Sequence, residues 1–178
     1  LRQRLLCLVR REPRPAEAEQ IARWRALGIE VVIDTAGDVT EHDEFDAALT
    51  RMAQHGPIDT IWHLVGNIDD RPIGELDWTA LQQVYQLRMT TAHRLAAHQA
   101  QLSPHCTVYF SSAASVMGPR GQAAHASACC ALERMATARC AQGYDTLAVA
   151  WGLWQISESI SQQQQAAQAQ RGTLLPET

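Results

Sequence analysis

The sequence contains no lysine, so all 15 of its basic side chains are arginines, and these are spread along the chain. With a net charge of −4 and no basic stripe, the chain lacks the electrostatic footprint of a nucleic-acid-binding protein. No apolar run approaches the roughly 20 residues that a membrane-spanning helix needs, and no secretory signal is recognisable. These absences argue against nucleic acid and membrane as partners, and we expect a cytoplasmic protein.

Several motifs of catalysis and metal binding are also missing. The five cysteines form no CxxC pair and are odd in number, which predicts buried, reduced thiols rather than a disulfide framework. The seven histidines show neither HExxH nor metal-ligand spacing with the cysteines, so we predict no metal site. No GxSxG elbow supports a hydrolase, and no GxGxxG turn is present to hold a dinucleotide.

Short aliphatic runs alternate with longer segments of helical period along the chain. This alternation predicts an α/β protein with a Rossmann-like, doubly wound parallel sheet and helices on both faces. The predicted strands are residues 5–9, 30–34, 59–63, 106–110 and 146–150. The predicted helices are residues 15–27, 44–55, 77–100 and 122–142.

The first strand and the glycine-rich turn of such a fold have no counterpart in the sequence. In the doubly wound order this strand lies between the strands predicted at residues 5–9 and 59–63. Because the first residue is Leu1 and not Met, we expect that a longer parent protein supplies this strand. Without it two rows of backbone hydrogen-bonding groups lose their partners, and we expect the chain to fold poorly alone.

The segment of residues 110–130, FSSAASVMGPRGQAAHASACC, carries the most information about function. It resembles the catalytic loop and helix of short-chain dehydrogenase/reductases, and most closely the ketoreductase domains of modular polyketide synthases. Those domains read approximately FSSxAGxxGxxGQxxYxxxN. Residues 147–154, LAVAWGLW, are similar to the family's LAWGLW segment at the matching distance.

The resemblance implies which positions form the catalytic site. Ser112 matches the catalytic serine, His125 the tyrosine acid, Cys129 the asparagine and Arg88 the lysine. Only Ser112 keeps the family's residue. In the family the tyrosine gives the proton and the serine bonds the same oxygen, while the lysine lowers the tyrosine pKa and bonds ribose.

The resemblance also implies where NADPH contacts would lie. Arg10 matches the position that binds the 2′-phosphate, Asp38 and Val39 match the Asp-Val pair at the adenine, and Gly66 ends a segment similar to the family's HAAG. We predict that these positions are vestigial and that no cofactor is bound, with NADPH as the cofactor if the domain is active. Residues 68–70 resemble the Leu-Asp-Asp motif of one stereochemical class.

The substitutions lead us to predict a ketoreductase-like domain that does not reduce and has a structural role in its module. An imidazolium at His125 has a suitable pKa for an acid, but a fixed charge at Arg88 disfavours protonation. One alternative is NADPH-dependent reduction of a carrier-bound β-keto chain by a Ser112/His125 pair. The other is a module that binds a carrier or another partner.

The resemblance implies neighbouring synthase domains and an acyl carrier domain as partners. We predict that residues 1–156 form the ketoreductase-like domain. Residues 157–178, rich in Gln, Ala and Ser, are predicted as a polar C-terminal segment of the same domain.

Overall fold

The structure of the chain is a computed structural model that describes residues 3–37, 39 and 41–152. Asp38 and the predicted C-terminal segment of residues 157–178 lie outside the described residues. The strands are β1 (Arg4–Val9), β2 (Glu30–Thr35), β3 (Thr60–His63), β4 (Cys106–Ser112) and β5 (Thr146–Trp151). The helices are α1 (Pro15–Ala26), α2 (His42–Ala53), α3 (Trp78–Ala97), α4 (Gln99–Leu102), α5 (Ala114–Met117) and α6 (Ala123–Ala141), with a 3-10 turn at Ile73–Glu75.

The chain divides into two compact units. The first unit comprises the described residues up to 59 together with residues 93–104, and it contains the parallel pair β1–β2. Helices α1 and α2 pack on β2, and α4 packs on α2. Its buried apolar side chains include Ile21, Val31, Phe45, Leu49 and Met52.

The second unit contains a three-stranded parallel sheet in the order β3–β4–β5. Alternate residues of β4 point to opposite faces. Tyr109 is buried in a cluster with Met89 of α3 and Leu132 of α6, so these two helices pack on its face. On the opposite face, the ring of Phe110 lies 5.8 Å from that of Trp62 and 5.3 Å from that of Trp151.

All five strands form where the apolar runs predicted them, and the α/β class is confirmed. Strand β4 is longer than predicted, because Ser111 and Ser112 continue it as backbone partners of Ala150 and Trp151. The predicted helix of residues 77–100 is interrupted, since α3 ends at Ala97 and the backbone of His98 leaves helical geometry before α4 begins. None of the helices in the described part of the chain is long and apolar enough to cross a membrane.

Candidate active site

Strand β4 ends in the two serines of the sequence motif. The hydroxyl of Ser112 accepts a hydrogen bond from the backbone N–H of Ala114 at 3.2 Å, which ties it to the start of α5. Ser111 is buried and its hydroxyl donates to Glu133 Oε1 of α6 at 2.5 Å. The hydroxyl of Ser115 lies 2.7 Å from the same carboxylate oxygen. The carboxylate thus joins the strand end and α5 to helix α6.

Helix α6 presents His125, Cys129 and Glu133 along one side, because residues four apart lie one turn above each other. His125 is 8% exposed and Cys129 is fully enclosed. The sulfur of Cys129 lies 3.7 Å from His125 Nε2 and 4.0 Å from its Nδ1. Their spacing of four residues on one helix puts the two side chains in contact.

Arg88 of α3 is buried beside this row. Its Nη1 donates to the sulfur of Cys129 at 2.6 Å, and its Nε has no hydrogen-bond partner among the described residues. The guanidinium packs against Gly66, where any side chain would collide with it. No carboxylate among the described residues forms an ion pair with Arg88.

Burial and the charge of Arg88 set the protonation of the surrounding groups. Burial, and then the charge of Arg88, lower the pKa of His125 below its ordinary value, while Asp70 opposes the shift. Burial lowers the pKa of His63 to about 4, with Arg88 adding to the effect. Burial raises the pKa of Cys129, although Arg88 opposes it. At neutral pH both imidazoles are therefore uncharged and the thiol keeps its proton.

The structure brings three of the four predicted catalytic positions, Arg88, His125 and Cys129, into one cluster with Gly66. No hydrogen bond joins Ser112 to His125, so these two residues do not form a hydrogen-bonded donor pair.

The other predicted cofactor positions lie in the first unit. Arg10 is exposed in a bend after β1, and Val39 is half-buried in a turn after β2. Asp38 lies outside the described residues, and the cofactor roles of all three positions remain predictions.

Sequence reasoning missed Glu133 and the buried His63. Glu133 lies eight residues after His125, so the helical period alone indicated that it shares the same side of α6. His63 opens the segment that resembles HAAG, and its Nε2 lies 2.8 Å from the Thr91 hydroxyl. A second missed contact links the loop after β3 to the start of α6, where the Gln122 amide donates to Asp70 at 2.9 Å.

Comparison with known proteins decides the family. The model of the KR domain matches residues 2–156. The chain belongs to the KR domain family. It is 32% identical over 159 residues to the Spectinabilin polyketide synthase system protein NorA' of Streptomyces orinoci, and 33% identical over 143 residues to Erythronolide synthase EryA3 of Saccharopolyspora erythraea. These alignments cover 89% and 79% of the chain, which confirms the resemblance to polyketide synthase ketoreductases.

Solved structures confirm the Rossmann-like fold with helices on both faces. PlmKR1, the ketoreductase from the first module of phoslactomycin biosynthesis in Streptomyces sp. HK803, matches with a TM-score of 0.81 at 27% identity, over 95% of this chain and 39% of that one. The first ketoreductase of the tylosin PKS matches with a TM-score of 0.75 at 32% identity, over 89% and 34%. A short-chain dehydrogenase from Streptomyces avermitilis, at 18% identity and a TM-score of 0.68, shares the fold.

The chain spans only 4% of the length of NorA' and 4% of that of EryA3. In these synthases the matching segment is therefore a small part of a far longer polypeptide, with other parts of the synthase as its neighbours.

The family implies NADPH, and the fit of that cofactor can be tested at Gly66. The small size of a glycine leaves room beside the backbone, but here the Arg88 guanidinium takes up that room. Arg88 also has its hydrogen bond to the Cys129 thiol in place of a contact to ribose. The surroundings of Gly66 therefore fit a buried guanidinium and do not fit the ribose contacts that the family implies. In the described part of the chain, no group of three or more His, Cys, Asp or Glu side chains could hold a metal ion.

Proposed function

We propose that this KR domain does not reduce a β-keto group and that it has a structural role in its synthase module. The observation that carries the proposal is the protonation state of His125, which occupies the position of the family's catalytic tyrosine. Because burial and the charge of Arg88 lower the pKa of His125, the imidazole is uncharged at neutral pH, and its remaining N–H is too weak an acid to take the role of the tyrosine. Its ring nitrogens contact Cys129 and leave Ser112 without an acidic partner.

A direct assay on the full polypeptide that contains this domain tests the proposal. NADPH and a β-ketoacyl thioester are supplied, and NADPH oxidation is followed at pH 7. We expect the same background rate from the unaltered protein and from a Ser112→Ala variant. A higher rate that Ser112→Ala abolishes would overturn the proposal.

The alternative function is NADPH-dependent reduction of a carrier-bound β-keto intermediate by Ser112 and His125. Retention of Ser112 at the end of β4 favours it, since this hydroxyl can still bond a carbonyl oxygen. If His125 were the acid, turnover would fall as pH rises through its lowered pKa, and His125→Phe would remove it. A rate independent of pH between 5 and 8 would exclude this role for His125.

A carrier domain is the partner that we propose in addition to the neighbouring synthase domains. Helix α5 begins two residues after Ser112, and its Val116 and Met117 are 83% and 65% exposed. Exposed apolar side chains beside the site suit contact with an acyl chain or with a carrier surface. We expect Val116→Ser with Met117→Ser to weaken carrier binding at least threefold by calorimetry, and unchanged affinity would contradict it.

We further propose that residues 1–156 form the domain, that residues 157–178 are its C-terminal segment, and that the protein is cytoplasmic. The family match supports the extent, because it ends at residue 156.

A further inference from the structure

We propose that Arg88 and Cys129 hold each other in place, a contact that we call the interlock. The interlock is a second cause for the absence of reduction, and it is independent of the lost acid at position 125. The inference rests on the proposed function, because it adds a cause for the absence of reduction. This second cause is the position of the Arg88 guanidinium, whereas the first cause is the loss of a proton donor at His125.

The first argument is the fit between the two side chains. Nη1 of Arg88 and the sulfur of Cys129 are 2.6 Å apart, so no free space remains between them. The Cys side chain has one heavy atom beyond Cβ, and the family's Asn has three. Asn at position 129 would therefore overlap the guanidinium, and overpacking of this kind forces neighbours out of their positions.

The second argument is the enclosure of the cation. The guanidinium lies against Gly66, and Arg88 as a whole is 6% exposed. To bond a ligand elsewhere, the guanidinium would have to leave the sulfur of Cys129. Arg88 therefore keeps the positive charge of the family's lysine but withholds it from a bound ligand.

The third argument is energetic. A buried cation without an ion-pair partner among the described residues is costly. Nε of Arg88 has no hydrogen-bond partner among these residues, so the hydrogen bond from Nη1 to Cys129 is the polar contact that offsets part of this cost. Changing either member of the pair alone therefore damages the packing, whereas changing both to the family's residues relieves it.

The pair predicts how reduction could be regained. His125→Tyr alone restores an acid but leaves the cation enclosed, so we expect it to restore neither NADPH binding nor turnover. Arg88→Lys combined with Cys129→Asn removes the enclosure, so we expect this double variant to bind NADPH.

The first test measures the coupling by hydrogen–deuterium exchange in the full polypeptide that contains the domain. Peptides from α6 report local opening without interference from other parts of the synthase. We expect Arg88→Lys and Cys129→Asn each to speed exchange about 10-fold, and the double variant to exchange more slowly than either single variant. Matched changes at exposed positions of the same helix, Arg134→Lys and Cys130→Asn, should leave the rates unchanged. If the exchange rate of the double variant rises by the product of the two single-variant increases, the two residues act independently and the interlock is wrong.

The second test measures NADPH binding by fluorescence in the same variants. We expect no binding to the unaltered protein or to His125→Tyr up to millimolar cofactor, and at least 10-fold tighter binding to the double variant. If the double variant binds NADPH no better than the unaltered protein, the proposal that Arg88 and Cys129 prevent NADPH binding is wrong. The proposed function is then still tested separately by the NADPH oxidation assay. If the unaltered protein binds and oxidises NADPH, the proposed function and this proposal both fail.

Discussion

At the scale of single residues, His63 shows how packing fixes a charge state. The Thr91 hydroxyl donates to backbone carbonyls of its own helix, so it accepts a hydrogen from His63 Nε2. The other ring nitrogen, Nδ1, is buried and has no hydrogen-bond partner from another residue in the described part of the chain. Burial and then the charge of Arg88 oppose a second proton on the ring and lower the pKa of His63 to about 4, although the backbone of His63 itself partly offsets them.

This state makes the stability of the domain sensitive to acid. The unfolded state takes up a proton at His63 near its ordinary pKa of 6.5, and the folded state only near pH 4. The contribution of neutral His63 to the free energy of unfolding is therefore complete above pH 6.5 and is lost as pH falls from 6.5 towards 4. For the full shift in pKa this contribution is about 3 kcal/mol. Denaturation between pH 7 and 4 measures it, and His63→Gln should flatten this part of the curve. An equally steep curve in the variant would contradict the assignment.

The family motif predicted which residues would meet at the site, but not how they would meet. Arg88 and Cys129 are 41 positions apart, and only the alignment with the family pattern placed both at catalytic positions. Their direct contact depends on the spacing of α3 and α6, which no local pattern encodes. The enclosure of Arg88 was also beyond prediction, because a charged residue on a long helix is usually solvated.

At the scale of elements, Asp77 directly precedes α3, the longest helix in the described part of the chain. Its carboxylate accepts a hydrogen bond from the backbone N–H of Ala80 at 2.8 Å, so Asp77 caps the N-terminus of α3. Asp77→Ala removes this acceptor and should lower the stability of α3 by about 1 kcal/mol. Exchange rates of peptides from the first turns of α3 measure the loss. Asp77→Asn keeps an acceptor oxygen, and an equal loss in that variant would contradict the capping role.

Glu133 links three elements, since it receives the hydroxyls of Ser111 at the end of β4 and of Ser115 in α5. Glu133→Ala leaves the buried Ser111 hydroxyl without its carboxylate partner and should cost about 2 kcal/mol. Exchange of peptides from β4 and α6 measures this loss. Glu133→Gln keeps an oxygen at the same place, so it should cost less than half as much, and equal losses would argue against the hydrogen bonds as the cause.

Apolar runs and segments of helical period predicted the elements well because both signals are local. The run of residues 106–110 marked the core of β4, but its extension through Ser112 depends on pairing with β5. The end of α3 was missed for a related reason. The imidazole Nδ1 of His98 lies 3.0 Å from the backbone oxygen of Arg94, a contact that accompanies the helix end and that hydropathy does not register.

At the scale of the whole molecule, each of the two units has its own parallel strand pairing among the described residues. Strand β1 pairs with β2 in the first unit, and β3 pairs with β4 in the second, so β1 and β3 each have one side without a strand partner among the described residues. The expectation that a strand is missing between β1 and β3 came from the strand order of the family, which composition alone could not have given, and it stays a prediction.

Strand β4 is the one described strand with a partner on both sides, β3 and β5. Its amides lie in the centre of a sheet whose buried cluster includes Tyr109 and Leu132, and opening them requires most of the second unit to unfold. We therefore expect β4 amides to exchange at least 100-fold more slowly than those of β1 and β3, since edge positions open locally. Hydrogen–deuterium exchange on the full polypeptide measures the ratio. If β1 and β3 are as protected as β4, another segment of the polypeptide pairs with their open sides, and chain-length variants that remove flanking sequence would then show which segment it is.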